Sequence, residues 1–156
     1  VATITPTNVI GTTTNDSVSI GYVGEYVSSK TLSGAAVPLT SNTPANVNNI
    51  SLTAGDWDVS GQIDFVLTGA TSTLHQAAIS LTTNTLSAQP GGSGLGTDPL
   101  NTLPLPTTTL SGTLSLQIAP VRLSIAATTT VYLVAQSAFA VGSEAAYGTI
   151  RARRMR

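Results

Sequence analysis

Residues 57–67 (WDVSGQIDFVL) place Trp57, Val59, Gly61, Ile63 and Phe65 on one parity. Asp58, Ser60, Gln62, Asp64 and Val66 fall on the other. An apolar/polar alternation with period two is the signature of a strand with one face in a core. Trp57, Val59, Ile63 and Phe65 are therefore the predicted core anchors. The preceding stretch 46–53 carries Val47, Ile50 and Leu52, and Ala54-Gly55-Asp56 reads as a tight turn. Together these predict a hairpin over 46–67.

The same texture recurs along the chain. Residues 18–27 are rich in Val and Tyr with glycines at 21 and 24, and 35–40 form a short strand that Pro38 marks as an edge or bulge. Residues 74–83 open with some helical propensity, but their Ser-Leu-Thr-Thr run favours a strand. Residues 113–118 and 121–127 read as strands broken by Pro120. Residues 129–140 read as a long uncharged strand, and 146–154 as the last one. Eight or nine strands follow, with turn signals every ten residues or so and no convincing helix. That pattern predicts an all-β sandwich or barrel and argues against α/β folds. Residues 1–16 read as an extended N-terminal arm, and 17–156 as one domain. Residues 84–112, rich in Pro and Gly, read as a long irregular loop. Loops of that length usually bind something, so Leu95, Asp98, Leu100 and Leu103 are candidates for an exposed binding loop.

Composition narrows the chemistry. The chain has 156 residues, no Cys, and His75 as its one imidazole. Disulfides, thiolate chemistry and a three-His zinc site are excluded. No apolar run approaches the 18 or so residues of a membrane-spanning helix. Residues 1–16 lack the basic start and apolar core of a signal peptide. Charged residues make only 8% of the chain, while Thr occurs 26 times and Ser 17 times. A hydrophobic content of 41% argues against disorder. So low a charge on one small domain is expected when much of its surface is covered by other copies of itself.

The charges are also unevenly placed. Arg151, Arg153, Arg154 and Arg156 fall in the last six residues, and the acids are spread through the body. A basic tail can bind nucleic acid, but this one has no interleaved aromatics. Pairing with acids of the same or a neighbouring chain is the favoured reading. Asp56, Asp58 and Asp64 share strand parity. They could form an acid pair for glycoside hydrolysis or a Ca²⁺ site, but a solvated face opposite the last strand's arginines is favoured. His75 has Ser72 and Ser80 near it without a nucleophile-elbow pattern, so a structural or interface role is favoured over a triad. The glycines at 91, 92, 94 and 96 lack the Lys and following helix of a phosphate loop. Trp57 could stack on sugar if exposed, although its parity favours the core. No catalytic residue, metal site or cofactor is expected.

The run Ile50-Ser-Leu-Thr-Ala-Gly-Asp-Trp-Asp-Val-Ser-Gly-Gln-Ile-Asp-Phe65 resembles a segment of small virion proteins of tailed bacteriophages. The ending Tyr147-Gly-Thr-Ile-Arg-Ala-Arg-Arg-Met-Arg156 resembles the end of the same proteins. The resemblance covers residues 18–83 and 129–156. The Leu-x-x-Gly-x-Trp pattern also resembles the strand pair of C1q/TNF-type jelly rolls, which are trimers. The resemblance implies an antiparallel jelly-roll β-sandwich, C1q/TNF-like and homotrimeric, with the aromatic after the Gly turn in the core and the last strand near the threefold axis. Tyr132, Phe139, Tyr147, Arg151 and Arg153 are then the candidate intersubunit residues. The implied function is non-enzymatic. It is that of a structural protein on the virion surface, either a capsid decoration or head-fibre protein, or alternatively a tail-fibre tip that binds a host receptor or glycan. The implied partners are the chain itself and other virion proteins such as capsid or tail proteins. No membrane partner is expected, and nucleic acid is disfavoured.

Overall fold

The computed structural model describes residues 18–86 and 100–156. Seven strands follow in chain order: β1 (Tyr26–Thr31), β2 (Val37–Pro38), β3 (Ala45–Leu52), β4 (Gly55–Ser80), β5 (Leu100–Ile125), β6 (Thr129–Phe139) and β7 (Ser143–Arg154). A 3₁₀ turn at Ser33–Ala35 joins β1 to β2.

β4 and β5 are each 26 residues long and pair antiparallel along almost their whole length. β4 changes its second neighbour midway. Trp57 to Thr68 pair with β7, and Ser72 to Ser80 pair with β6. The ribbon therefore belongs to two sheets. One runs β1–β7–first half of β4–second half of β5, with β2 extending the edge beyond β1. The other runs β3–β6–second half of β4–first half of β5. The two pack face to face as an all-β antiparallel jelly-roll sandwich.

Side-chain parity shows how one strand serves both sheets. Trp57, Val59, Ile63, Phe65 and Leu67 point inward from the first half of β4 and are buried. The register shifts between Leu67 and Ala70, after which Ala70 and Ser72 are the buried positions. It shifts again between Ser72 and Leu74, and His75, Ala77 and Ile79 are buried beyond it. Each shift flips the strand by one residue, so the apolar set stays on the core side as the chain turns from one sheet to the other. Trp57, Val59, Ile63 and Phe65 are fully buried in one cluster with Leu52, Leu133, Ile150 and their neighbours. Burying side chains of this size contributes about 1.5–3 kcal/mol each.

Several local expectations are corrected. β3 and β4 are consecutive but do not pair: β3 pairs with β6 across its length, so the 46–67 hairpin does not form. The Thr53–Ala54 link instead carries the chain from one sheet to the other, which lets both strands turn their apolar faces into the same core. The strand expected at 18–27 begins only at Tyr26. Gly21 and Gly24 have φ of 89° and 93°, and backbone bonds from Tyr22 to Ser19 and from Glu25 to Tyr22 close turns there. The irregular loop expected at 84–112 is strand from Leu100 onward. Pro104 and Pro106 are tolerated because, among the described residues, β5 pairs only with β4 and lies at the edge of both sheets. Pro120 does not end its strand either; with Ala119 it forms an extra-residue bulge inside β5. The expected arm, residues 1–16, lies outside the described residues.

Gly148 sits where β7 crosses close to β4. A Cβ there would lie 2.2 Å from the backbone oxygen of Gln62, which cannot move without breaking the ladder. Gly148→Ala is expected to destabilise the fold by about 2 kcal/mol through overpacking, measured as a lowered urea midpoint with an unchanged slope.

Candidate functional site: buried anchors and the outward face of β7

Three polar clusters and one open face gather the chain's chemistry. The first cluster is built on Arg154, the last residue of β7, which is only 5% exposed. Its Nε donates to Glu25 Oε2 at 2.8 Å and its Nη1 to the Ala54 carbonyl at 2.8 Å, while Nη2 bonds Thr53 Oγ1. The guanidinium lies 4.3 Å from the Trp57 ring centroid. Trp57 Nε1 donates to the Thr53 carbonyl at 2.9 Å. Gly55 is required here, because a Cβ at that position would come within 2.0 Å of Arg154 Nη1. The unusual Gly55-Asp-Trp57 string is thus the seat of a buried arginine. Burial pushes the Glu25 carboxyl up, but the Gly21 N–H and the Arg154 guanidinium outweigh it and hold the group below its ordinary range.

The second cluster lies inside the sandwich. His75 Nε2 is 2.8 Å from Glu144 Oε2, and Ser72 Oγ donates to Glu144 Oε1. Ser72, His75 and Ser137 are fully buried, and Glu144 is nearly so. The His75 ring packs on Phe65 at 4.5 Å. Burial raises the Glu144 pKa, but hydrogen bonds from His75 and Ser72 and the His75 charge overcome it, and the carboxyl is held below its ordinary value. The serine and the histidine both bond the carboxylate and not each other, so no base addresses the hydroxyl as a triad requires. The cluster is a polar tie between β7 and the second half of β4.

In the third cluster Asp56 accepts from Arg122 at 2.8 Å and pairs with Arg156 at 2.8 Å. The Arg122 hydrogen bond chiefly holds its carboxyl below the ordinary range, against the effect of burial. The terminal arginines therefore split. Arg154 and Arg156 meet acids of the same chain, whereas Arg151 and Arg153 are exposed and have no carboxylate within bonding distance among the described residues. Asp64 is engaged by Ser115 Oγ and by Gln62 Nε2 at 3.1 Å. Among the described residues no group of three potential ligands could hold a metal ion.

The candidate intersubunit residues occupy two sheets. Tyr147, Arg151 and Arg153 share the outward parity of β7, and Tyr132 and Phe139 are half-buried on β6. Leu95 and Asp98 lie outside the described residues. Leu100 opens β5, and Leu103 is half-buried opposite His75 and packs on the core, so it belongs to a strand and not to a loop tip. Trp57 offers no exposed ring for stacking on a sugar. What sequence reasoning missed is the role of Arg154 and Glu144. Both share the buried parity of β7 with Ala146, Ile150 and Ala152, and an inward charge requires a buried partner.

These features define an antiparallel jelly-roll protein with internal polar ties and an open polar face on β7. No protein-family model and no curated protein matches the chain. Among solved structures it is similar to the VP2 subviral particle of infectious bursal disease virus, at 14% identity and a TM-score of 0.41, over 85% of this chain and 31% of that one. It is also similar to the structure of the Gt strain of that virus, at 11% identity and a TM-score of 0.42, over 87% of this chain and 32% of that one. The chain thus spans about a third of the length of either structure.

Two predictions follow from the anchors. Arg154→Met is expected to cost about 3 kcal/mol, because it leaves Glu25 buried without a partner. Adding Glu25→Gln is expected to recover part of that loss, read by urea unfolding followed at Trp57. The carboxyls of Glu25, Asp56 and Glu144 all have lowered pKa values in the fold. Their stabilisation is complete above the unfolded-state values and is lost as the pH falls through the folded ones. The urea midpoint is therefore expected to drop below pH 4.5, the ordinary Glu value, and to drop less steeply in Glu144→Gln.

Proposed function

We propose that the chain is a non-enzymatic structural subunit of a virion, displayed on the surface of a tailed bacteriophage particle as a capsid decoration or head-fibre protein, and that it assembles as a C1q/TNF-like homotrimer. The observation that carries the reading is an apolar end on a protein with few surface charges. Ile20, Tyr22 and Val23 are 78%, 67% and 66% exposed, and Met155 is 53% exposed. The Gly24 N–H bonds the Arg154 carbonyl at 3.0 Å and Tyr26 sits opposite Arg153 in the ladder, so the two chain segments form one end of the molecule. Exposed apolar side chains gathered at one end suit a contact surface. The sequence resemblance to phage virion proteins in residues 50–65 and 147–156 supports the same reading.

A threefold contact is heterologous: one patch of each copy meets a different patch of the next. The apolar end with Tyr26 and Arg153 forms the first patch in this proposal, and the outward face of β6 with Tyr132 forms the second. The proposed partners beyond the trimer are other virion proteins of the capsid or tail. The alternative placement at a tail-fibre tip, in contact with a host receptor or glycan, is favoured by one feature, a hollow on the outward face of β7 lined by Ser60, Gln62, Gln117, Thr149 and Arg151.

Light scattering at micromolar concentration is expected to report a mass three times the 15.8 kDa chain, and Tyr26→Glu with Met155→Glu to return it to the monomer. A stable wild-type monomer would overturn the trimer. Gold labelling of intact particles tests placement, with label expected on the head and not at the tail tip.

A further inference from the structure

The outward face of β7, β4 and β5 is built in ladder rows. Thr149, Gln62 and Gln117 lie side by side across three strands, and Arg151 lies beside Ser60 in the next row. The third member of that second row is missing. The β4–β5 register steps from Val59–Val121 directly to Gly61–Ile118, so Ala119 and Pro120 bulge out of the ladder opposite Ser60. A hollow of about 450 Å³ opens at this place, lined by Ser60, Gln62, Gln117, Thr149 and Arg151 with the bulge as its far wall. That volume is in the range of small-molecule sites.

Its chemistry is specific. Arg151 Nε donates to Ser60 Oγ at 3.0 Å, which fixes the plane of the guanidinium. Its terminal nitrogens have no hydrogen-bond partner among the described residues. They form the fork that takes a planar carboxylate. Arg151 is the only cation lining the hollow among the described residues, so its charge balances one carboxylate and not a doubly charged phosphate. The other polar side chains are two amides and two hydroxyls, which both donate and accept, and Ile118, Ala119 and Pro120 add an apolar wall. Polar groups beside a small apolar wall suit a sugar ring, which carries hydroxyls on its rim and C–H groups on its face.

We propose that this hollow binds an acidic sugar: the carboxylate seats on Arg151, and the ring hydroxyls are read by Gln62, Gln117 and Thr149. The site lies on the same face of β7 as Arg153 of the assembly patch, two residues away, and does not depend on whether the protein sits on head or tail.

The test is a titration of the full chain with methyl glucuronide, methyl sialoside and neutral methyl glucoside, followed by amide chemical shifts. At least one acidic sugar is expected to bind about tenfold more tightly than the glucoside, moving the amides of residues 60–62, 117–120 and 149–151. Arg151→Met is expected to abolish that preference with an unchanged melting temperature, which separates loss of the site from loss of the fold. Equal binding of acidic and neutral sugars, no binding of either acid, or an unaffected Arg151→Met variant would each overturn the proposal. Scattering on the same samples reports the oligomeric state independently. A trimer that binds no acidic sugar sinks the site and leaves the assembly reading standing, and a monomer that binds does the reverse.

Discussion

The guanidinium of Arg154 lies inside the protein, over Trp57 and against Glu25, and both ends of the described chain are tied through it. Glu25 closes the turn that leads into β1, Thr53 and Ala54 form the link between the two sheets, and Arg154 ends the last strand. One side chain thus holds three distant segments in register. Removing a charge from such a position leaves its partner buried in a medium that cannot solvate it. A flexible ammonium could not replace it, because the planar fork meets acceptors in three directions at once.

With the link fixed, the long β4–β5 ribbon can bend between the sheets. Its bulges keep the apolar parity inward at each change of neighbour. They also leave marks on the surface, because an extra residue on one strand displaces it from its partner. The bulge at Ala119–Pro120 opens the hollow beside Arg151. The step near Thr73 comes between Ser72 and His75 and sets both on the core side, facing Glu144. Packing irregularities that the core demands are therefore the places where polar chemistry collects.

The outer surface has two characters. The end formed by the first turn and the last residues carries exposed apolar side chains among the described residues, as suits a subunit that docks. The β7 face is polar and concave and carries an arginine whose terminal donors have no partner among the described residues. In the proposed role the first surface would hold subunits together and the second would meet what surrounds the particle.

The alternation over 57–67 was legible because period two maps directly onto inward and outward faces, and the all-β class followed from its recurrence. The absence of Cys and the single His settled which chemistries the chain cannot perform, since those depend on residue type alone. Strand partners were not legible: β3 follows the pattern of a hairpin yet pairs with β6, because pairing depends on which sheet each strand joins. The prolines of β5 read as a loop because their tolerance depends on an unpaired edge. The role of Arg154, the Ser72–His75–Glu144 tie and the Arg151 hollow likewise came only from tertiary structure. Each joins residues far apart in the chain, and the sequence states what a residue can bond but not what folding brings beside it.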